Sequence, residues 1–595
     1  MVSTLRLVLA SLDRGRRRRF VVLLGLMLAT GVAELVGVAT VLPFLTVLAD
    51  PEAIHDRALL GRLYEVFGFE QPFVFLQWLG AGIFVTVMLS IAFRAGTHYA
   101  MTRFIRGTAT DLGRALLASY LARPYEWFLQ RHSADLGKTV LREANDVVLG
   151  SIAPALRIVA NLIVLALLTG FLLAVEPVGT LAMAAFLGAA FGLFYRRLQP
   201  FLETIGQDRR VANRERHQAT AEAMGAIKEV KLHGLEETYL DRYAAPSRRL
   251  ERHHAALALA GELPRYALEA LIVGAMLLFT LWLLASRDGR LDEALPVLGA
   301  FGFAAVRLMP LMQTLFADVA KMRFGLPALI GIHDDLASAP TPRASDDRRV
   351  RLGRALELDA VSFRYEGADR AALQDVSLTI RAGESVGVAG PTGSGKTTLM
   401  DILLGLVEPQ RGRLVVDGTA IDSATMRAWQ RGIGYVPQSI YLFDDTIAAN
   451  IAFGRKPGGI DPDAIERAAR LANLHDFVEG LPMGYETAVG EAGVRLSGGQ
   501  RQRIGIARAL YRDPDVVVFD EATSALDPVT ERAVIDAIRA LSGRKTIFIV
   551  THRLSTVAHC DRILLLNAGR LEAEGDHEGL SSRSPTFRSM LAATG

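Results

Sequence analysis

Three short stretches of this chain carry residues suited to handling phosphate. Residues 386–398 read VGVAGPTGSGKTT. Gly390, Gly395, Lys396 and Thr397 fall at the spacing G-x-x-x-x-G-K-[ST], with Gly393 between them. The glycines let backbone N–H groups close around phosphate oxygens, and the loop opens a helix whose N-terminus attracts anions. Ser394 and Thr398 belong to the same loop. Lys396 is placed to reach β- and γ-phosphates, and Thr397 to offer its hydroxyl to Mg²⁺. The second stretch reads DPDVVVFDEATSALD. Its apolar run predicts a buried strand with Asp520 at the end, able to order Mg²⁺, and Glu521 next to it, able to polarise an attacking water. Phosphoryl transfer depends on positioning and charge neutralisation, which such a pair supplies. The third stretch is Leu496, Ser497, Gly498, Gly499, Gln500. Ser497 and Gln500 have capping-box spacing, and an uncrowded Ser-Gly-Gly helix start is also an anion site. The following RQRIGIARAL continues as a helix with Ile504, Ala507 and Leu510 on its apolar face.

These stretches need a scaffold. Beyond residue 350, strand-length apolar runs (Leu414–Val416, Val516–Phe519, Thr546–Val550, Ile563–Leu566) alternate with polar helical stretches, which predicts an α/β domain with a partly parallel sheet. Residues 336–350, LASAPTPRASDDRRV, read as a linker. Before it, six apolar runs nearly free of charge occupy 20–49, 73–93, 147–175, 177–195, 266–286 and 294–317. A bilayer core needs about 20 apolar residues per helix. The expected fold is therefore a polytopic α-helical membrane domain over 1–335, fused to an α/β P-loop domain over 351–595.

Bulk composition agrees with a fusion. The 595 residues are 51% hydrophobic and 22% charged with a net charge of +3, and mean hydropathy is +0.26. Residues 1–344 hold 36 basic against 30 acidic residues, while 345–595 hold 30 against 33. The balance does not suggest a nucleic-acid binder. A single cysteine, Cys560, excludes an intrachain disulfide and a cysteine metal site; it reads as a small buried residue.

Basic flanks set orientation. Arg14 and Arg16 to Arg19 precede span one. Segments 99–147 and 196–264 carry seven and twelve Lys/Arg, and 50–72 only Arg57 and Arg62 against five acids. Both termini and both long loops are expected inside. No proline occurs between Pro72 and Pro124, so a helix of about 75 Å is expected there, far longer than a core of about 30 Å. The turns Pro124–Lys138 and Ile227–Tyr243 are candidates for contacting a cytoplasmic domain.

The three motifs, in this order and after six spans, resemble the ATP-binding cassette transporters, and specifically the exporter type with long stalks. The resemblance implies ATP with Mg²⁺, hydrolysis coupled to transport, and a multi-pass protein of the cell inner membrane with its nucleotide domain in the cytoplasm. It implies further roles. Tyr365 in VSFRY looks like the aromatic that stacks on adenine. Gln438 in YVPQS looks like the Mg²⁺ and water sensor, and Asp527 in SALD like the residue linking two sites. His552 in IVTHR looks like the γ-phosphate switch, and Glu491 lies in the stalk-contacting segment. In that family the LSGGQ segment covers the nucleotide of a second domain. One such domain per chain implies a dimer, and the intact Glu521, His552 and signature favour a homodimer.

Cargo is read from charges within the spans, which are expensive in lipid and usually functional. Arg94, Arg265 and Arg307 are candidates for an anionic head group, since guanidinium forks match phosphate oxygens. Arg157 lies in span three; Glu34 and Glu269 are the opposing acids noted. IKEVKLHG, AAVRLMP and DPEAIHDRALLGRLYEVFGF also resemble the lipid-linked oligosaccharide flippases (PglK-like). Leu59, Leu60, Leu63 and Phe67 fit a short amphipathic helix at the outer leaflet. The expected cargo is an amphipathic anionic lipid, first a polyprenyl-diphosphate-linked oligosaccharide. The alternatives are a drug or lipid A-like exporter and, in another class, an ATP-gated channel or regulatory ATPase.

Overall fold

Apolar length decides the first half of the chain. The computed structural model describes residues 14–56, 58–131, 133–288, 290–340, 348–490, 493–522, 528–551 and 553–594. Among them, six helices are long and apolar enough to cross a membrane: Arg17–Ala49, Pro72–Leu121, Leu136–Val175, Pro177–Gly225, Tyr266–Ser286 and Glu293–Ala337. Span two runs unbroken for 50 residues from Pro72, whose missing N–H costs nothing in the first turn. Span four continues to Gly225. A short helix, Ile227–His233, then ends at Gly234, which takes φ 63°, and the chain returns in Glu236–Ser286. Val38, Val164, Leu168, Phe279, Phe301 and Ala304 form one core joining spans one, three, five and six. Spans three and six approach where side chains are small. A Cβ on Gly325 would lie 2.6 Å from the Ser151 hydroxyl and 3.0 Å from the Gly150 carbonyl.

By contacts the chain forms two units: Met1–Arg123 with Arg131–Pro340, and Pro124–Gln130 with Thr341–Gly595. The short helix Tyr125–Leu129 between spans two and three thus groups with the second unit, whereas Ile227–His233 stays with the first.

The second unit holds ten strands among its described residues: β1 Ala355–Phe363, β2 Leu373–Arg381, β3 Ser385–Ala389, β4 Arg411–Val416, β5 Thr419–Ile421, β6 Ile433–Val436, β7 Val516–Asp520, β8 Thr546–Val550, β9 Arg562–Asn567 and β10 Arg570–Gly575. They make an antiparallel sheet in the order β2-β1-β4-β5 and a larger sheet in the order β10-β9-β3-β8-β7-β6. In the larger sheet β9, β3, β8, β7 and β6 are parallel, and β10 is antiparallel to β9. Its inner strands β9, β3, β8 and β7 are buried almost throughout, as strands covered on both faces require, whereas the edge strand β10 alternates with exposed charged residues. Val516, Val518, Phe548, Val550, Leu564 and Leu566 enter one core with Leu399, Met400 and Ile402 of the helix Lys396–Leu403. Val517, Phe519, Ile547, Ile549, Ile563 and Leu565 enter another with Ile504, Ile506 and Leu510 of the helix Gly498–Leu510. The phosphate-loop helix and the signature helix therefore cover opposite faces of one sheet.

Candidate nucleotide site and intramembrane charges

Parallel strands deliver their functional residues at their carboxyl ends. The phosphate loop follows β3, Asp520 and Glu521 end β7, and Gln438 follows β6. β8 lies between β3 and β7, pairing Val550 with Asp520. Adjacent strands thus bring distant sequence to one edge.

The loop geometry requires its glycines. Gly395 takes φ 101°, and a Cβ there would meet the Ala372 carbonyl at 2.5 Å. Lys396 is buried, and its ammonium donates to the carbonyls of Gly390 at 2.8 Å and Pro391 at 2.9 Å. Burial lowers its pKa, opposed by the charges of Glu521 and Asp520. Ser394 presents a buried hydroxyl with no hydrogen-bond partner among the described residues. An orphaned hydroxyl beside a lysine in a glycine-rich turn fits a phosphate oxygen. Thr397 is exposed, whereas Thr398 is buried.

Asp520 accepts from the Tyr435 hydroxyl at 3.1 Å, and burial raises its carboxyl pKa. Glu521 adopts φ 48°, a left-handed turn that a side chain rarely takes. Gln438 Nε2 donates to Glu521 Oε2 at 2.7 Å, so two residues 83 apart in sequence meet. Tyr365 sets its ring edge-on to Phe363 at 4.9 Å. Its hydroxyl donates to Asp401 Oδ2 and accepts from Thr398 Oγ1, both at 3.3 Å. Ser497 and Gln500 complete the capping box. The Gln500 N–H donates to Ser497 Oγ at 3.2 Å, and the Ser497 N–H to Gln500 Oε1 at 2.8 Å. Gln500 is thereby committed to the cap, leaving Ser497 and Gly498 exposed. Among the described residues no cluster of three His, Cys, Asp or Glu side chains could hold a metal by itself. Thr397, Asp520 and Gln438 are the groups that the sequence reading assigned to Mg²⁺. Asp527, His552 and Glu491 lie outside the described residues.

Of the intramembrane arginines named from the sequence, Arg94 and Arg157 have internal counter-ions. Arg94 Nε lies 3.7 Å from Glu34 Oε1, and Glu34 is buried. Glu34 thus offers Arg94 a counter-charge between spans one and two. Arg157 grips Asp318 with three hydrogen bonds of 2.6–3.1 Å. Asp318 lies one residue beyond the charge-poor window read as span six, which is why the sequence reading missed it. One turn along, Asn161 donates to Thr314 at 2.9 Å. Arg307 is half-buried, with its guanidinium 6.0 Å over the Phe303 ring, and among the described residues it has no ion-pair partner. The Arg265 side chain lies outside the described residues.

At the outer end of spans one and two, Leu60, Leu63, Phe67, Phe69, Phe75, Trp78 and Leu79 line most of a cavity of about 640 Å³. The helix Ala58–Val66 supplies part of its wall.

Fold and site together define a membrane exporter driven by a P-loop ATPase, and the chain belongs to the ABC transporter family. Residues 20–281 match the ABC transporter transmembrane region and residues 373–524 match the ABC transporter model. It is similar to an ATP-dependent lipid A-core flippase of Ralstonia nicotianae, 32% identical over 91% of this chain and 92% of that one. A flippase of the same name from Cupriavidus metallidurans is 33% identical over 83% of each. Among solved structures, a bacterial Atm1-family ABC exporter with ATP bound superposes with a TM-score of 0.79, at 25% identity, covering 98% of this chain and 99% of that one. The chain is therefore a six-span half-transporter that hydrolyses ATP to drive transport, multi-pass in the inner membrane with its nucleotide domain in the cytoplasm.

Proposed function

We propose that two copies of this chain flip an anionic, lipid A-like glycolipid across the inner membrane. The relatives named lipid A-core flippases favour this cargo over the polyprenyl-diphosphate-linked oligosaccharide that the sequence put first. The observation that carries it is Arg307. It is a guanidinium inside span six without an internal counter-charge among the described residues, whereas Arg94 and Arg157 are balanced. Such a group is costly in lipid unless an anion arrives, and a phosphate head group supplies one.

In this reading Lys396 and the loop N–H groups hold the nucleotide phosphates, Ser394 fills its orphaned hydroxyl on them, and Tyr365 packs on the base. Glu521, held by Gln438, takes the proton of the attacking water. Mg²⁺, near Thr397, Asp520 and Gln438, supplies charge neutralisation. Ser497 and Gly498, exposed on the face opposite the phosphate-loop helix, serve the nucleotide of a second copy. Asp527 and His552 keep their roles as proposals from the family pattern. Ile227, Leu232, Leu240 and Tyr243 are exposed around the short helix 227–233 and suit a docking surface for that copy.

A second reading retains the polyprenyl-linked glycan, favoured by the aromatic-lined outer cavity beside Ala58–Val66. Proteoliposomes loaded with each lipid separate the two. Lipid A flipping that depends on ATP, and falls at least tenfold in Arg307→Ala while ATP turnover without cargo persists, is the expected result. Equal flipping by Arg307→Ala refutes the head-group role.

A further inference from the structure

One buried carboxylate in the nucleotide domain has no place in the chemistry described so far. Asp401 sits on the phosphate-loop helix Lys396–Leu403, among the buried apolar residues Leu399, Met400, Ile402 and Leu403. It is only 8% exposed. A leucine would pack there without the cost of desolvating a carboxyl group, and burial indeed pushes that carboxyl up to about 6. Among the described residues its side chain accepts one hydrogen bond, from the Tyr365 hydroxyl to Oδ2 at 3.3 Å. Thr398, one turn earlier on the same helix, donates to the same phenol oxygen. Phe363 fixes the ring from its edge. Asp520, Tyr435 and Tyr125 also lie within the electrostatic reach of Asp401. The phenol is thus pinned by two side chains of the very helix that binds phosphate.

We propose that Asp401 is a positioning residue for the nucleotide base: by holding the Tyr365 hydroxyl it fixes the ring in the orientation that stacks on a purine. The proposal rests on the reading of Tyr365 as the base-stacking residue. A tyrosine in a connecting segment otherwise loses its rotational freedom when the base binds, and ordering it beforehand removes that cost. The expected gain is about three- to tenfold in nucleotide affinity. It concerns the base alone and leaves phosphate binding unchanged.

The test uses the full-length purified chain, with affinities for ATP and for inorganic triphosphate measured alongside KM and kcat. Tyr365→Ala comes first. If it leaves the ratio of ATP to triphosphate affinity unchanged, the base-stacking reading itself is wrong. If the ratio falls, the second set bears on Asp401. Asp401→Leu is expected to raise KM for ATP about three- to tenfold, with triphosphate affinity retained and the effect in KM rather than kcat. Tyr365→Phe removes the same bond without touching the core and is expected to match it. The double variant should lose no more than either single one. Asp401→Asn, whose amide oxygen still accepts from the phenol, should restore near-native KM. Native ATP affinity in Tyr365→Phe, or equal losses of ATP and triphosphate in Asp401→Leu, would overturn the proposal. So would a failure of Asp401→Asn to rescue.

Discussion

Gln438 and Glu521 meet at 2.7 Å although they leave different strands. The bond fixes the carboxylate of a residue already turned by its φ of 48°. Both features aim Glu521 rather than stabilise it, since a left-handed non-glycine residue is strained. Glu521→Gln keeps the size and removes the base. ATP turnover is expected to fall at least about 10²-fold, the usual contribution of a positioned base, while ATP still binds; phosphate release and equilibrium nucleotide binding measure the two. Unimpaired turnover would show that Glu521 does not take the proton. At this scale the sequence was legible wherever chemistry sits in a contiguous motif. Lys396, Asp520, Glu521 and Ser497 could each be named from neighbours a few residues away. Asp401 and Tyr435 could not, because their roles come from partners 36 and 85 positions distant. A lone acid in the apolar run LMDILLGL was the available signal for Asp401.

The signature helix shows how an element can serve stability and function with the same atoms. Its capping box satisfies two backbone donors through Ser497 and Gln500. Ser497→Ala removes the cap and should cost about 1 kcal/mol, whereas Ser497→Gly costs only a few tenths. Thermal unfolding of the purified chain is expected to rank them in that order. If the hydroxyl also faces phosphate, both variants should lose ATPase activity alike, so stability and turnover will not correlate. Activity that tracks stability instead would reduce the motif to a helix start. The elements themselves were mostly legible. The proline-free run after Pro72 gave a 50-residue helix, and four apolar runs became β4, β7, β8 and β9. The antiparallel sheet β2-β1-β4-β5 was not, because the pairing that joins its two halves, β1 with β4 (Leu358 opposite Leu414), links strands far apart in the chain. Span six was drawn too short for a related reason. Asp318 looks like an interfacial charge until Arg157 of another helix neutralises it.

For the whole molecule, the decisive fact is that the phosphate-loop helix and the signature helix lie on opposite faces of one sheet. One copy therefore presents its phosphate loop and its Ser497 to different directions, and a two-fold pair can match each to the other. In the proposed pair, two composite sites would result, each built from one copy's Lys396 and the partner's Ser497. This makes a definite forecast for mixed pairs. Lys396→Met disables the phosphate loop, and Ser497→Arg blocks the signature with a bulky cation. Purified alone, each variant should be inactive, because both of its sites carry the same defect. Combined in one pair, the defects fall together in a single site: the partner with Lys396→Met contributes its damaged loop to the site already facing the damaged signature. The other site then has an intact loop and an intact signature. Co-expression with two different affinity tags, followed by sequential purification, isolates the mixed pair. If one intact site suffices for turnover, it is expected to regain up to about half of the native rate, since activation scales with the number of competent sites. ATPase activity that stays at the single-variant level would show that each chain completes its own site or that both sites must fire together. A mixed pair carrying Lys396→Met and Ser497→Arg on one chain and a native partner separates these outcomes. It should be silent in the first site and the second alike if sites are shared, but half-active if each chain works alone.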